Sequence, residues 1–276
     1  MNESNKIRLS VISSIMPVFQ ATIGDAKHFK SIISAIRELM DDVSFECRQD
    51  GVYMQGMDSS HISLIELNLN KEYFEEYKAE EDPVLHINLK LLAMIMKCAD
   101  SSDSITMNYN ESKAKLEMSF SNDRRTNTYE VPLTDLETSA MEVPEIDHDY
   151  IMHISPKEMN KYISSMTSMG VSDITYTLNG GEANIKAEAE QINFNLQLLS
   201  GDEDESDKQL IHMEKEGDEE LTMTFSYVYI QKFMKGSTIS DKIEMKFAED
   251  MPLTVEFNFE NGKLLYFLAP KMDDDD

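Results

Sequence analysis

A run of elements that occurs twice constrains this chain more than any other feature. Residues 96–107, MKCADSSDSITM, lie against residues 234–245, MKGSTISDKIEM, with six identities at a constant offset. Similar signals flank both copies. In the first half, Phe19, Ala21 and Ile23 alternate as a strand, and Gly24-Asp25 opens a helix with Phe29, Ile32, Ile33, Ile36 and Met40 at helical spacing. Strands follow at 43–47, 52–55, 62–69 and 84–87, then a helix at 89–99 and strands at 104–109, 115–120 and 126–131. The second half runs the same way. A strand at 151–154 precedes a helix at 156–168, opened by Ser155 with Pro156 in its first turn. Strands at 174–178, 183–187, 192–198, 210–213 and 221–225 lead to a helix at 227–236, then strands at 242–247, 253–259 and 263–268. The reading is a duplicated α+β domain, each copy a sheet with two helices on one face. The boundaries expected are an extension at 1–16, domains at 17–131 and 150–272, a Pro-punctuated acidic linker at 132–149, and an acidic tail at 273–276.

A length of 276 residues gives each copy enough chain to bury a core. No apolar run approaches the ~20 residues of a membrane span, and the N-terminal residues lack the pattern of a secretory signal. These features read as a cytosolic or nuclear protein. Cys47 and Cys98 sit far apart in apolar patterns, which reads as two buried free thiols rather than a disulfide.

A net charge of −27 argues against nucleic acid until the charges are placed along the chain. The four predicted helices hold Lys27, Lys30, Arg37, Lys90, Lys97, Lys157, Lys161, Lys232 and Lys235 against only Glu38 and Glu158. That is a net of +7, leaving −34 on the other 228 residues. Within each helix the basic residues fall three, four or seven apart, so each set shares a face. Basic helix faces on an acidic chain suit sequence-independent contact with a phosphate backbone.

The most specific string is GVYMQGMDSSHISLIEL, residues 51–67. Two strand-like runs flank Asp58-Ser59-Ser60-His61, a polar connection whose short side chains bond their own backbone. Met57 to Leu64 resembles the signature of the eukaryotic sliding clamps, the proliferating cell nuclear antigen family. MKCAD in the second helix and the ending YFLAPKMDDDD carry the resemblance across nearly the whole chain, from Phe19 to Asp276.

The resemblance implies two clamp domains per chain and a homotrimeric ring around duplex DNA. It implies a processivity factor rather than an enzyme, with no catalytic residue, metal or cofactor, working in the nucleus or at a viral replication site. The bore residues implied are Lys30, Arg37, Lys97, Lys161 and Lys235. The implied partners are DNA polymerase, a clamp loader, flap endonuclease and ligase, docking through peptides whose glutamine and aromatic plug fit a pocket under the linker; no membrane is involved. Its wall would be Met57, His61, Ile62, Leu64, Met141, Val143, Pro144, Pro252, Phe267, Leu268, Ala269 and Pro270. An apolar patch rimmed by acids, with adaptable Met side chains, suits many related peptides. The sequence departs from the family pattern at Asn179, where the ubiquitin-bearing lysine is expected, at Met94 and Ser164, where bore cations are usual, and at Pro132, on the edge strand facing the next subunit.

Other classes fit less well. The six histidines show no ligand spacing, and no phosphate loop or nucleophile elbow occurs. Ser59, Ser60 and His61 are sequence neighbours without a third catalytic member. Asp202, Asp204 and Ser206 suggest a calcium loop, but Asp207 and Met213 stand where glycine and glutamate are needed. A monomeric or heterotrimeric clamp relative would usually lose the linker pocket and terminal motif. An acidic scaffold without DNA would need the four basic faces scattered over its surface.

Overall fold

The computed structural model describes residues 17–111, 114–135, 145–201, 211–215, 217 and 219–271. The expected extension 1–16, the tail 273–276, the centre of the linker and the calcium-like stretch at 202–207 lie outside the described residues.

The first half contains β1 (Phe19–Ile23), α1 (Ala26–Arg37), β2 (Asp42–Arg48), β3 (Gly51–Met57), β4 (Ser63–Asn70), β5 (Glu76–Ala79), β6 (Val84–Asn88), α2 (Leu89–Met96), β7 (Ser104–Asn110), β8 (Lys115–Asn122) and β9 (Arg125–Pro132). The second half contains β10 (Tyr150–Ile154), α3 (Pro156–Met169), β11 (Asp173–Asn179), β12 (Glu182–Glu188), β13 (Asn193–Leu199), β14 (Ile211–Lys215), β15 (Leu221–Ser226), α4 (Tyr227–Phe233), β16 (Ile243–Phe247), β17 (Leu253–Phe259) and β18 (Gly262–Leu268).

By contact, the described residues form two compact units. One comprises 17–56, 67–135 and 260–262; the other comprises 57–66, the described residues of 145–259, and 263–271. Among the strands of the first half the orders are β5-β1-β7-β8-β9 and β4-β3-β2-β6. The second unit repeats this as β14-β10-β16-β17-β18 and β13-β12-β11-β15. The duplication therefore extends to the pairing. Ala21 of β1 faces Met107 of β7, and Met152 of β10 faces Met245 of β16, the last residues of the two matching twelve-residue stretches.

Local chemistry sets the helix starts. The carboxylate of Asp25 accepts from His28 N at 3.0 Å, the carbonyl oxygen of Asn88 accepts from Leu91 N at 3.0 Å, and Ser155 Oγ accepts from Glu158 N at 3.2 Å. Each satisfies an otherwise orphaned helix donor. Gly170, at φ 72°, ends α3 in the left-handed conformation favoured by glycine. α2 and α4 are shorter than the sequence spacing predicts, while α3 runs one residue longer: α2 stops at Met96 with Lys97 as its C-cap, and Met234–Thr238 continues α4 as a 3-10 turn. The glycine at 236 allows that turn to sit against the Phe257 ring, which a Cβ would meet at 2.9 Å.

In the first unit α1 and α2 pack on each other, burying Phe29, Ile32, Ile33, Ile36, Leu92 and Ile95. In the second, side chains tie α3 to α4. Tyr227 Oη donates to Ile163 O at 2.6 Å, Gln231 Nε2 to Thr167 Oγ1 at 3.0 Å, and Asn160 Nδ2 to Ser237 Oγ at 2.8 Å.

One cysteine departs from expectation. Cys47 is buried, and burial pushes its thiol well above the ordinary range, but Cys98 is exposed just beyond α2. The helical spacing that suggested an apolar position at 98 ends where α2 does. About one thiol per native chain is expected to react with an aromatic disulfide reagent, rising to two on denaturation. Prompt labelling of both thiols in the native protein would contradict this burial.

Candidate functional site

Two sets of residues stand out: the basic helix faces and the loop from Met57 to Glu66. On α1, Lys27 and Arg37 are exposed and Lys30 is half-buried; Lys90 and Lys97 are exposed at α2. On α3, Lys157 and Lys161 are exposed; at α4, Lys235 is exposed and Lys232 is half-buried. Among the described residues, only Lys90 and Lys161 of this set form ion pairs, with Asp41 and Glu158. Basic residues on the strands behave differently. Of the strand cations, Arg48, Lys78, Lys115, Arg125 and Lys246 each hold a carboxylate within 4 Å, as does Lys271 just past β18, while among the described residues Lys186 and Lys263 form no ion pair. Most helix cations are thus available to an external anion, whereas most strand cations are held by a carboxylate. Met94 is 58% exposed on the same helix as Lys90, and Ser164 is exposed on α3.

The loop at 57–66 is organised by one buried side chain. Asp58 is 6% exposed. Its Oδ1 accepts from Ile62 N at 2.9 Å and Ser63 N at 2.7 Å, and its Oδ2 accepts from Ser60 N at 2.9 Å. The fourth donor is Tyr229 Oη on α4, at 2.8 Å. Asp58 N also donates to Ser63 O, and His61 N to Asp58 O, which closes the turn. Burial acts to raise the Asp58 carboxyl, but the four donors outweigh it and hold the group below its ordinary value. His61 takes a left-handed backbone at φ 56°, a conformation that is costly for a residue with a Cβ and is held here by this network.

The network leaves Ile62 outward and 40% exposed. Ile62 O accepts from Ala269 N at 3.1 Å, so the end of β18 runs beside the loop. Of the expected wall residues, Met57, Pro252, Phe267 and Pro270 are half-buried, and His61 and Ala269 are exposed. Leu64 and Leu268 are 9% and 0% exposed, so they lie beneath this surface as core rather than on it. Met141, Val143 and Pro144 lie outside the described residues. Sequence reading assigned no role to Tyr229, which is 171 residues from Asp58.

The N-terminal domain model of proliferating cell nuclear antigen matches residues 18–150, and the C-terminal domain model matches 142–272. The chain belongs to the proliferating cell nuclear antigen family. A curated relative, proliferating cell nuclear antigen 2 of Drosophila melanogaster, is 28% identical over 262 residues, covering 94% of this chain and all of the relative. The crystal structure of the proliferating cellular nuclear antigen from Entamoeba histolytica superposes with a TM-score of 0.85 at 25% identity, over 93% of this chain and all of that one. Members of the proliferating cell nuclear antigen family are DNA sliding clamps without enzymatic activity, and the two-domain clamp fold accounts for the repeated topology. No helix among the described residues is long and apolar enough to cross a membrane.

Proposed function

We propose that this chain forms a homotrimeric ring that encircles duplex DNA and tethers replication and repair enzymes to it in the nucleus. The observation that carries the reading is that most strand cations are held by carboxylates, whereas of the nine helix cations only Lys90 and Lys161 form ion pairs among the described residues. In an acidic protein, unpaired basic faces serve a polyanion best if they line an enclosed track, where the outer carboxylates do not repel it. Lys30, Arg37, Lys97, Lys161 and Lys235 are the phosphate contacts of this reading. The clamp domains it assumes are 17–131 and 150–272, joined by the linker at 132–149.

Ring closure would use free strand edges. Among the described residues β9 ends one sheet and β13 another, and β13 carries Leu199, 64% exposed. Pairing of β9 of one copy with β13 of the next is head-to-tail, the geometry that closes a ring. Pro132, exposed at the end of β9 and opposite Lys115, donates no ladder hydrogen bond and would shorten that pairing.

Docking would use Ile62, Met57, His61, Phe267, Ala269 and Pro270 at the surface, with Pro252 alongside and Leu64 and Leu268 as the floor. Met141, Val143 and Pro144 would complete the wall from the linker. A peptide with an aromatic plug, carried by a polymerase, clamp loader, flap endonuclease or ligase, fits such an apolar patch.

Light scattering over a dilution series tests the ring. Three copies of a 31.6 kDa chain should give a species of about 95 kDa that persists on dilution. A single-chain particle at all concentrations would overturn the homotrimer.

A further inference from the structure

The contact between Asp58 and Tyr229 has a role that neither the basic faces nor the docking surface requires of it. Without a fourth donor, the Asp58 carboxylate would still bond three backbone amides of its own loop. With it, the loop is fastened to a helix far away in sequence. The Tyr229 ring is itself fixed. It is 9% exposed, meets Phe233 edge-on with centroids 6.5 Å apart, and lies under the Lys232 ammonium at 5.3 Å. A hydroxyl on so constrained a ring has few other positions. Two of the amides that Asp58 holds belong to Ile62 and Ser63, and Ile62 is the exposed apolar side chain of the loop.

We infer that Tyr229 is a positioning residue for partner docking: by holding the Asp58 carboxylate, its hydroxyl sets how Ile62 is presented and therefore how tightly an apolar peptide binds. This rests on the docking reading above. Tyr229 does not touch the peptide. It acts through Asp58 and the backbone of residues 60–63, and it ties that backbone to the helix that carries Lys232.

The test uses the full-length protein and a fluorescent synthetic peptide bearing a glutamine and an aromatic plug, titrated by anisotropy from pH 8 down to pH 2, so that the range spans values below the ordinary carboxyl range. Tyr229→Phe keeps the ring, its contact with Phe233 and its place under Lys232, and removes only the hydroxyl, which bonds Asp58 and also the Ser60 side chain. Its affinity for the peptide is expected to fall about tenfold, the scale of one hydrogen bond to a charged group. The acid limb of the titration should also move upward, because Asp58 has lost one of the donors that keep it ionised. A purely structural tyrosine would lower the melting temperature without moving that limb. Asp58→Asn is the second variant, expected to weaken binding similarly and to show no acid limb. Its result decides the matter if Tyr229→Phe does not fold. Wild-type affinity with an unmoved limb in Tyr229→Phe, or wild-type affinity in Asp58→Asn, overturns the inference. Failure of the unaltered protein to bind the peptide would overturn the docking reading instead, and this inference with it.

Discussion

Changing Lys30, Lys97 and Lys235 together to Glu is expected to abolish salt-sensitive stimulation of a DNA polymerase while leaving the fold intact. Lys97 and Lys235 are exposed and Lys30 is half-buried. None of the three forms an ion pair among the described residues, so no buried carboxylate is orphaned by their loss. Exposed substitutions of this kind usually change stability by within about 0.5 kcal/mol each. The effect on DNA should be much larger. Each lost phosphate contact flattens the dependence of log K on log salt by about 0.9, and each new carboxylate repels the duplex. A ring of three copies would repeat the loss three times. Melting temperature, salt dependence and processivity should be measured on the same preparation. Unaltered processivity in a well-folded triple variant would sink the bore assignment.

Asp58→Ala is expected to be among the most destabilising single changes in the second unit, at about 3 kcal/mol. It leaves the amides of Ser60, Ile62 and Ser63 and the Tyr229 hydroxyl without their acceptor. An unsatisfied buried polar group costs roughly 1–3 kcal/mol, and water can reach the amides of exposed Ser60 and Ile62 more easily than that of buried Ser63. The same network fixes the sign of a pH effect. Because the folded carboxyl lies below its ordinary value, its contribution to stability is present above the unfolded value of about 4 and is lost as pH falls through the folded value. The native protein should lose stability on acidification in that range, and Asp58→Ala should lose less of it. Parallel acid profiles for the two proteins would show that Asp58 does not carry this linkage.

The elements legible in the sequence were those whose signal is local. The α1 stripe of Phe29, Ile32, Ile33 and Ile36 marks a helix because one buried face repeats every three to four residues. Asp25 and Ser155 mark helix starts because a short acceptor satisfies an amide three residues on. Strand β5 was not legible. It lies in an acidic, Tyr-rich run that reads as a connection, and it is a strand only because β1 supplies its ladder, with Phe19 opposite Ala79 and Thr22 opposite Glu76. The repeat contained the missing clue. In the second unit β14 flanks β10, as β5 flanks β1 in the first, and the strand at 210–213 was visible from its own apolar residues.

The division of the chain shows the same limit. A twofold repeat suggests a cut at the acidic linker, yet residues 57–66 group by contact with the second unit. Their alternation marks strands but does not name the neighbour, because period-two patterning specifies a buried face and leaves the paired strand open. Family membership, the duplicated order and the basic helix faces follow from short-range spacing and from strings of a dozen residues. The exposure of Cys98, the buried positions of Leu64 and Leu268, and above all the meeting of Asp58 with Tyr229 were decided by the folded chain. A hydrogen bond across 171 residues depends on where two backbones are carried by everything packed between them, and no local pattern records that distance.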